Sequence, residues 1–241
     1  MQLNWFQKLI CGLGASKRLH SRESRTTTTE PPLFDQNPTA HGYDPFGYKT
    51  AWIAVKSGDP SSVMEFLNVT NSRAADWNSG IEESYDRSSR LVAITPVMKG
   101  WVLVTGQVLM EWLGSDRRDD LHQAKGTLSS LSERFGEAQF FATFRVTETH
   151  LWACWRNGAL QRSFYCDGSR GESIESGDRT EFEALQFSGD DPAWTIEDGL
   201  ALGIDEESVM EVAGAWSVNP QEVDTILSHE ESAKVTLCNL A

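Results

Sequence analysis

Residues 137–168 read EAQFFATFRVTETHLWACWRNGALQRSFYCDG, and the rest of the chain is expected to assemble around them. Asn157-Gly158 separates two runs rich in aromatic and branched side chains, residues 149–156 and 159–166. Both turn residues tolerate positive φ, which the type I′ turn of a two-residue hairpin requires. Placing them at the turn sets Arg156 opposite Ala159 and predicts the pairs Trp155 with Leu160, Ala153 with Arg162, and Leu151 with Phe164. The other face then pairs Cys154 with Gln161, Trp152 with Ser163, and His150 with Tyr165. Large rings fall on both faces, so neither is simply solvated. The preceding residues 138–147 alternate Phe140, Ala142, Phe144 and Val146 against Gln139, Phe141, Thr143 and Arg145. They read as a third strand joined at Glu148. The predicted class is α+β, an antiparallel β-sheet built on this meander with the Asn157-Gly158 hairpin and packed by a few helices.

Flanking segments supply those helices. Leu121, Ala124, Leu128, Leu131 and Phe135 recur at helical spacing, with Asp119 or Asp120 to start the helix and Gly136 to end it as a left-handed cap. Residues 51–56 predict a strand, followed by a turn in which Asp59 caps a short helix opened by Pro60. A second helical piece covers about residues 80–85, after a polar stretch at residues 71–79. Residues 91–95 and 101–105 predict a hairpin with Gly100 in its turn. Residues 167–203 are acidic and Gly-rich and read as surface connections, with one short strand around residues 181–187. Two helices follow, residues 205–216 and a shorter one capped by Asn219 and opened by Pro220.

The first 40 residues read differently from the rest. Residues 1–14 place Leu3, Phe6, Leu9, Ile10 and Leu13 at helical spacing, and residues 16–36 have the composition of a flexible linker. Lys8 interrupts what would be the apolar region of a secretory signal, so a cytoplasmic protein is expected. Residues 41–241 are expected to form a single α+β domain. No apolar run approaches the ~20 residues of a membrane span. The four Cys lie far apart with no C-x-x-C spacing, which predicts reduced thiols.

Charge divides the chain. Of its 35 acidic residues, 18 lie after residue 166 against three basic ones, Arg170, Arg179 and Lys234. The remaining residues nearly balance. Such a field repels nucleic acid and anionic membranes and attracts a cationic partner. The plainer reading of the same carboxylates is a solubilising surface. The helix pair at residues 205–227 has the outline of a DNA reader but holds no basic residue for phosphate contact.

Motifs for chemistry are missing. Phosphate-loop, dinucleotide, G-x-S-x-G, H-E-x-x-H and calcium-loop patterns do not occur, and no cofactor or metal is expected. The best constellation for acid–base or anion chemistry is Arg145, Glu148, His150, Arg156 and Arg162 on the meander, with Tyr165 opposite His150. Cross-strand ion pairing explains the same residues without any site.

Three phrases carry a resemblance: residues 51–55 with Asp59-Pro60, residues 100–106, and residues 131–141. With Val209 to Trp216 and Pro220, they resemble a set of bacterial proteins of unassigned function. In size, acidity and lack of catalytic motifs the chain is also similar to immunity proteins encoded beside bacterial antagonistic toxins. That likeness implies a non-enzymatic protein whose acidic C-terminal third neutralises a basic cognate toxin by direct binding. Its expected contacts are Asp190, Asp191, Glu197, Asp198, Asp205, Glu206 and Glu207, with Trp194 as an anchor among them. Two other readings stand beside it. One is a small enzyme or effector using Arg145, Glu148 and His150. The other is a scaffold tethered by its basic N-terminus.

Overall fold

In the computed structural model, residues 42–113, 122–187, 196–197, 200–201 and 203–241 are described. The expected N-terminal helix and linker lie outside these residues. Strand β1 (Ala51–Val55) occupies the middle of a nine-stranded sheet in which every pairing is antiparallel. The other strands are β2 (Thr70–Asp76), β3 (Val92–Ile94), β4 (Val102–Thr105), β5 (Glu137–Phe144), β6 (Thr149–Arg156), β7 (Ala159–Asp167), β8 (Glu172–Ser176) and β11 (Lys234–Asn239). They lie in the order β2-β11-β3-β4-β1-β5-β6-β7-β8, so the last strand of the chain inserts between β2 and β3. Strands β9 (Ile196–Glu197) and β10 (Leu200–Ala201) pair with each other in a separate two-stranded ribbon. The class is α+β, as the sequence predicts.

Alternation along the central strands sends side chains to two separate cores. One face carries Trp52, Phe141, Trp152 and Phe164, and on it pack helix α2 (Trp77–Ser84), α4 (Glu181–Gln186), α5 (Glu206–Trp216) and α6 (Val223–Ile226). The opposite face carries Ile53, Phe140, Leu151 and Trp155 beneath α1 (Pro60–Phe66), a 3-10 turn at Gln107–Trp112, and α3 (His122–Phe135). The central sheet is thus buried on both faces, which is why β1 holds five fully buried residues in succession. Each fully buried large apolar side chain is worth roughly 1.5–3 kcal/mol.

Local signals are met where they were legible. Asp59 accepts from the amides of Ser61 and Ser62 and starts α1 ahead of Pro60. Ala124, Leu128 and Leu131 are buried along α3, and Gly136 ends it at φ 87°. Asn157 and Gly158 adopt φ 47° and 83°, the type I′ hairpin. The tip of that hairpin docks on α3, where the Ser129 hydroxyl donates to the Gly158 carbonyl at 2.6 Å and the Gly158 amide donates to Ser132 Oγ at 2.9 Å. On the same helix Gly126 is exposed, and a Cβ there would meet nothing within 4 Å. Gly126→Ala is therefore expected to stabilise the protein by about 0.5–1 kcal/mol, measured as a raised urea midpoint.

The structure corrects the predicted register. Trp155 pairs with Leu160, but Cys154 pairs with Arg162, so Gln161 is an extra residue in β7. Beyond this bulge every side chain of β7 changes face. Trp152 now opposes Phe164, His150 opposes Cys166, and Tyr165 opposes Leu151 on the far side of the sheet. Three further differences concern elements. Residues 181–186 form helix α4, not a strand, because Thr180 and Glu183 make a reciprocal capping box. The polar residues 71–79 are mostly β2 and the start of α2, whose helix begins at Trp77 rather than near residue 80. Residues 172–176, read as connection, form β8.

Candidate functional site

The first turn of α5 gathers three of the acidic residues singled out from sequence. Asp205 caps the helix, accepting from the Ser208 amide at 2.9 Å. Acidic side chains are favoured there by the positive end of the helix dipole, which helps this turn tolerate Glu206 and Glu207 beside Asp205. Glu207 accepts from the Tyr48 hydroxyl at 3.1 Å. Burial first, and then Glu207, raise the Tyr48 phenol above its ordinary value. Glu206 accepts from the Thr143 hydroxyl on β5 at 3.4 Å. The same face of the sheet carries the elements that bring Glu222, Asp224, Glu230 and Glu231, all exposed. Lys99 reaches Glu222 at 3.7 Å, and Arg179 is held by Glu175 at 3.0 Å, so both of these cations are already engaged.

Of the other expected contacts, Asp190, Asp191, Trp194 and Asp198 lie outside the described residues. Glu197 belongs to β9, where its backbone pairs with Leu200, and its side chain also lies outside them.

Beneath Glu206 sits His150, fully buried. Its Nδ1 lies 3.2 Å from Thr143 Oγ1 and its Nε2 lies 3.5 Å from Glu148 Oε2. The result is a hydroxyl–imidazole–carboxylate chain, the connectivity of a hydrolytic triad. Thr143 and His150 are both 0% exposed, so a substrate carbonyl has no approach to that hydroxyl in this conformation. Burial pushes the His150 imidazole below its ordinary value against the pull of Glu148, Glu206 and Asp205.

A pH dependence follows. The folded chain binds this proton less readily than an unfolded histidine of pKa 6.5 does. The contribution of neutral His150 to stability is therefore complete above pH 6.5 and is lost as pH falls below it, at up to about 1.4 kcal/mol per pH unit. Glu137 and Glu175 act only lower, below the ordinary carboxylate value of 4.5. Urea unfolding at pH 7.5 and 5.5 checks this, and His150→Gln is expected to flatten the slope between them.

The remaining members of the predicted polar group separate. Arg145 is exposed on the turn between β5 and β6. Arg156 binds Glu137, its Nε 3.1 Å from the carboxylate. Burial alone would raise the Glu137 carboxyl, but hydrogen bonds from Arg156 and Gln139 outweigh it and hold it low. Arg162, carried across the sheet by the bulge, is 2% exposed and joins Glu183 at 2.9 Å and Glu175 at 2.8 Å. Tyr165 is on the other face, so it does not meet His150.

Sequence reasoning missed Glu183. It is fully buried and accepts from Trp152 Nε1 at 2.8 Å, from Arg162 Nε, and from the amide and hydroxyl of Thr180. The spacing Thr180-x-x-Glu183 was the available signal. Thr143, the hydroxyl between His150 and Glu206, left no comparable mark.

Other places hold less chemistry. Burial pushes the Cys154 and Cys166 thiols up to about 12 and Cys238 to about 11, so none is poised as a nucleophile. Among the described residues, no group of three or more His, Cys, Asp or Glu is placed to hold a metal ion. Among them too, no helix is long and apolar enough to cross a membrane. On the opposite layer a groove of about 340 Å³ is lined by Phe66, Leu67, Trp112, Thr127, Ser130 and Leu240, among others, and among the described residues no ionisable side chain lines it.

No protein-family model matches this chain, and no match was found among curated proteins or among solved structures.

Proposed function

We propose that this chain is a binding protein rather than an enzyme, and that the acidic layer around α5 captures a basic protein partner. The observation that carries this reading is the clustering of exposed Asp205 and Glu207 with half-buried Glu206 on one helical turn, with exposed Glu222, Asp224, Glu230 and Glu231 on the same side of the sheet. Carboxylates so placed complement a protein whose own cations serve an anionic substrate. A bacterial toxin met in the cytoplasm and neutralised by direct binding is the partner we infer. Nucleic acid is disfavoured as a ligand by the sign of this face.

Affinity capture from the native host with the full-length chain is the test. A basic protein recovered in stoichiometric amount, and released by raising salt from about 0.05 to about 0.5 M, is the expected result, because surface electrostatics are screened over that range. Capture indifferent to salt, or unchanged in a Glu206→Gln/Glu207→Gln variant, would count against it.

A further inference from the structure

We propose that His150 gates the acidic face: on mild acidification it takes up a proton, draws Glu148 and Glu206 into one hydrogen-bonded chain, and weakens the hold of the face on a cationic partner. This rests on the docking reading above.

Proton counting carries the inference. Three contacts meet at this point, Glu206 with Thr143, Thr143 with His150 Nδ1, and His150 Nε2 with Glu148. Ionised carboxylates only accept, and the Thr143 hydroxyl has one proton to give. If the neutral ring carries its proton on Nε2, it donates to Glu148, and Thr143 must donate to Nδ1, which leaves Glu206 without a donor. If the ring carries it on Nδ1, Thr143 can serve Glu206, but a bare Nε2 then faces the Glu148 carboxylate. Each neutral tautomer therefore makes two of the three contacts. Only the imidazolium makes all three, donating to Glu148 and to Thr143 while Thr143 donates to Glu206.

The surroundings decide what the proton does. The carboxylates facing the ring are Glu148 from the β5–β6 turn and Asp205 and Glu206 from α5. From β7 the opposing residue is Cys166, a protonated thiol, followed by Asp167, which Arg170 engages at 3.6 Å. Arg87 lies over the ring of Phe144 on β5, and Arg145 is exposed on the turn. Burial opposes protonation, which keeps the ring neutral at pH 7. When the proton does arrive, it places a positive charge directly under the first turn of α5 and commits two carboxylates to it. A basic partner then meets a weaker field.

Two measurements on the full-length chain test this. The first is an NMR titration of the His150 ring. Glu148→Gln and Glu206→Gln are each expected to lower its midpoint by about half a pH unit or more, because each removes a charge that favours the imidazolium. Midpoints unchanged in both variants overturn the switch. The second is binding of a hexa-lysine peptide at low salt, at pH 7.5 and 5.5. Binding by the unmodified chain is expected to weaken about twofold more between pH 7.5 and 5.5 than binding by His150→Gln, because burial leaves the ring only partly protonated at the lower pH. Equal pH dependence in the two proteins overturns the gating. If His150→Gln does not fold, His150→Asn, which is likewise neutral at both pH values, replaces it with the same expectation. A peptide that fails to bind at pH 7.5 removes the docking reading, and the ring titration then decides the switch by itself.

Discussion

Glu183→Ala is expected to destabilise the protein by about 3–5 kcal/mol, the cost of breaking a buried ion pair from one side. Arg162 would keep Glu175 and the carbonyls of Ser176 and Gly177, but its Nε would lose its partner in a site where the residue is 2% exposed. Trp152 Nε1 and the Thr180 amide would lose their acceptor as well. Trp152 is fully buried, and an unmet buried donor costs about 1–3 kcal/mol. Helix α4 would lose its capping box, and with it the packing of Phe187 on Trp152, whose rings lie 6.0 Å apart. Removing both charges together is a different matter. Glu183→Leu with Arg162→Met is expected to recover only the part of the loss that comes from the uncompensated Arg162 charge, because Trp152 Nε1 and the Thr180 amide still lack their acceptor. Urea denaturation of the single and double variants measures both effects. A loss under about 1 kcal/mol in Glu183→Ala would show that the network is replaceable by solvent.

That network also marks where reading the sequence stops. The hairpin was legible because Asn157-Gly158 specifies its turn chemically, and the turn fixes the first two pairs, Arg156 with Ala159 and Trp155 with Leu160. The next residue, Gln161, is the bulge, and nothing in its identity announces it. Since side chains alternate with period two, one unannounced residue misplaced every later contact of β7, including Arg162 with its buried partners and Tyr165 with His150. Helix α3 was legible because its apolar positions repeat over four turns, and α5 because Val209, Val212, Ala213 and Trp216 form an apolar stripe, while its capping box of Asp205 and Ser208 emerged only in the structure. Strand β2 was not, for a physical reason. It is an edge strand, mostly exposed, and its residues TNSRAAD carry no alternation for a core to impose. Strand β11 inserts far from its chain neighbours, and its place is defined by pairing with residues some 140 to 170 positions earlier, such as Leu237 with Ala93 and Val235 with Ala75. Long-range pairing of that kind is written in no local pattern. Of the candidate site, the acidic turn at Asp205, Glu206 and Glu207 could be read directly, whereas the burial of His150 beneath it depended on the fold.

Leu128→Ala is expected to cost about 2–5 kcal/mol, because the side chain it truncates is fully buried between α3 and the sheet. The range is wide because the cost depends on whether the cavity can collapse. Here the walls are stiff. Leu128 lies on the buried stripe between Ala124 and Leu131, and the strands below it are themselves held from the other side by the Trp52 and Phe141 stack, 5.1 Å between centroids. A helix could close such a gap by sliding toward the sheet, but α3 is fixed near Leu128 by the hairpin tip, through Ser129 and Ser132 to Gly158. Little relaxation is therefore available, and the loss belongs in the upper half of the range. Leu128→Met keeps the volume and is expected to cost less than about 1.5 kcal/mol. Thermal and urea unfolding of both variants, followed by tryptophan fluorescence, separate the two cases. A Leu128→Ala protein within about 1 kcal/mol of the unmodified chain would mean that α3 rides loosely on the sheet, contrary to its docked hairpin.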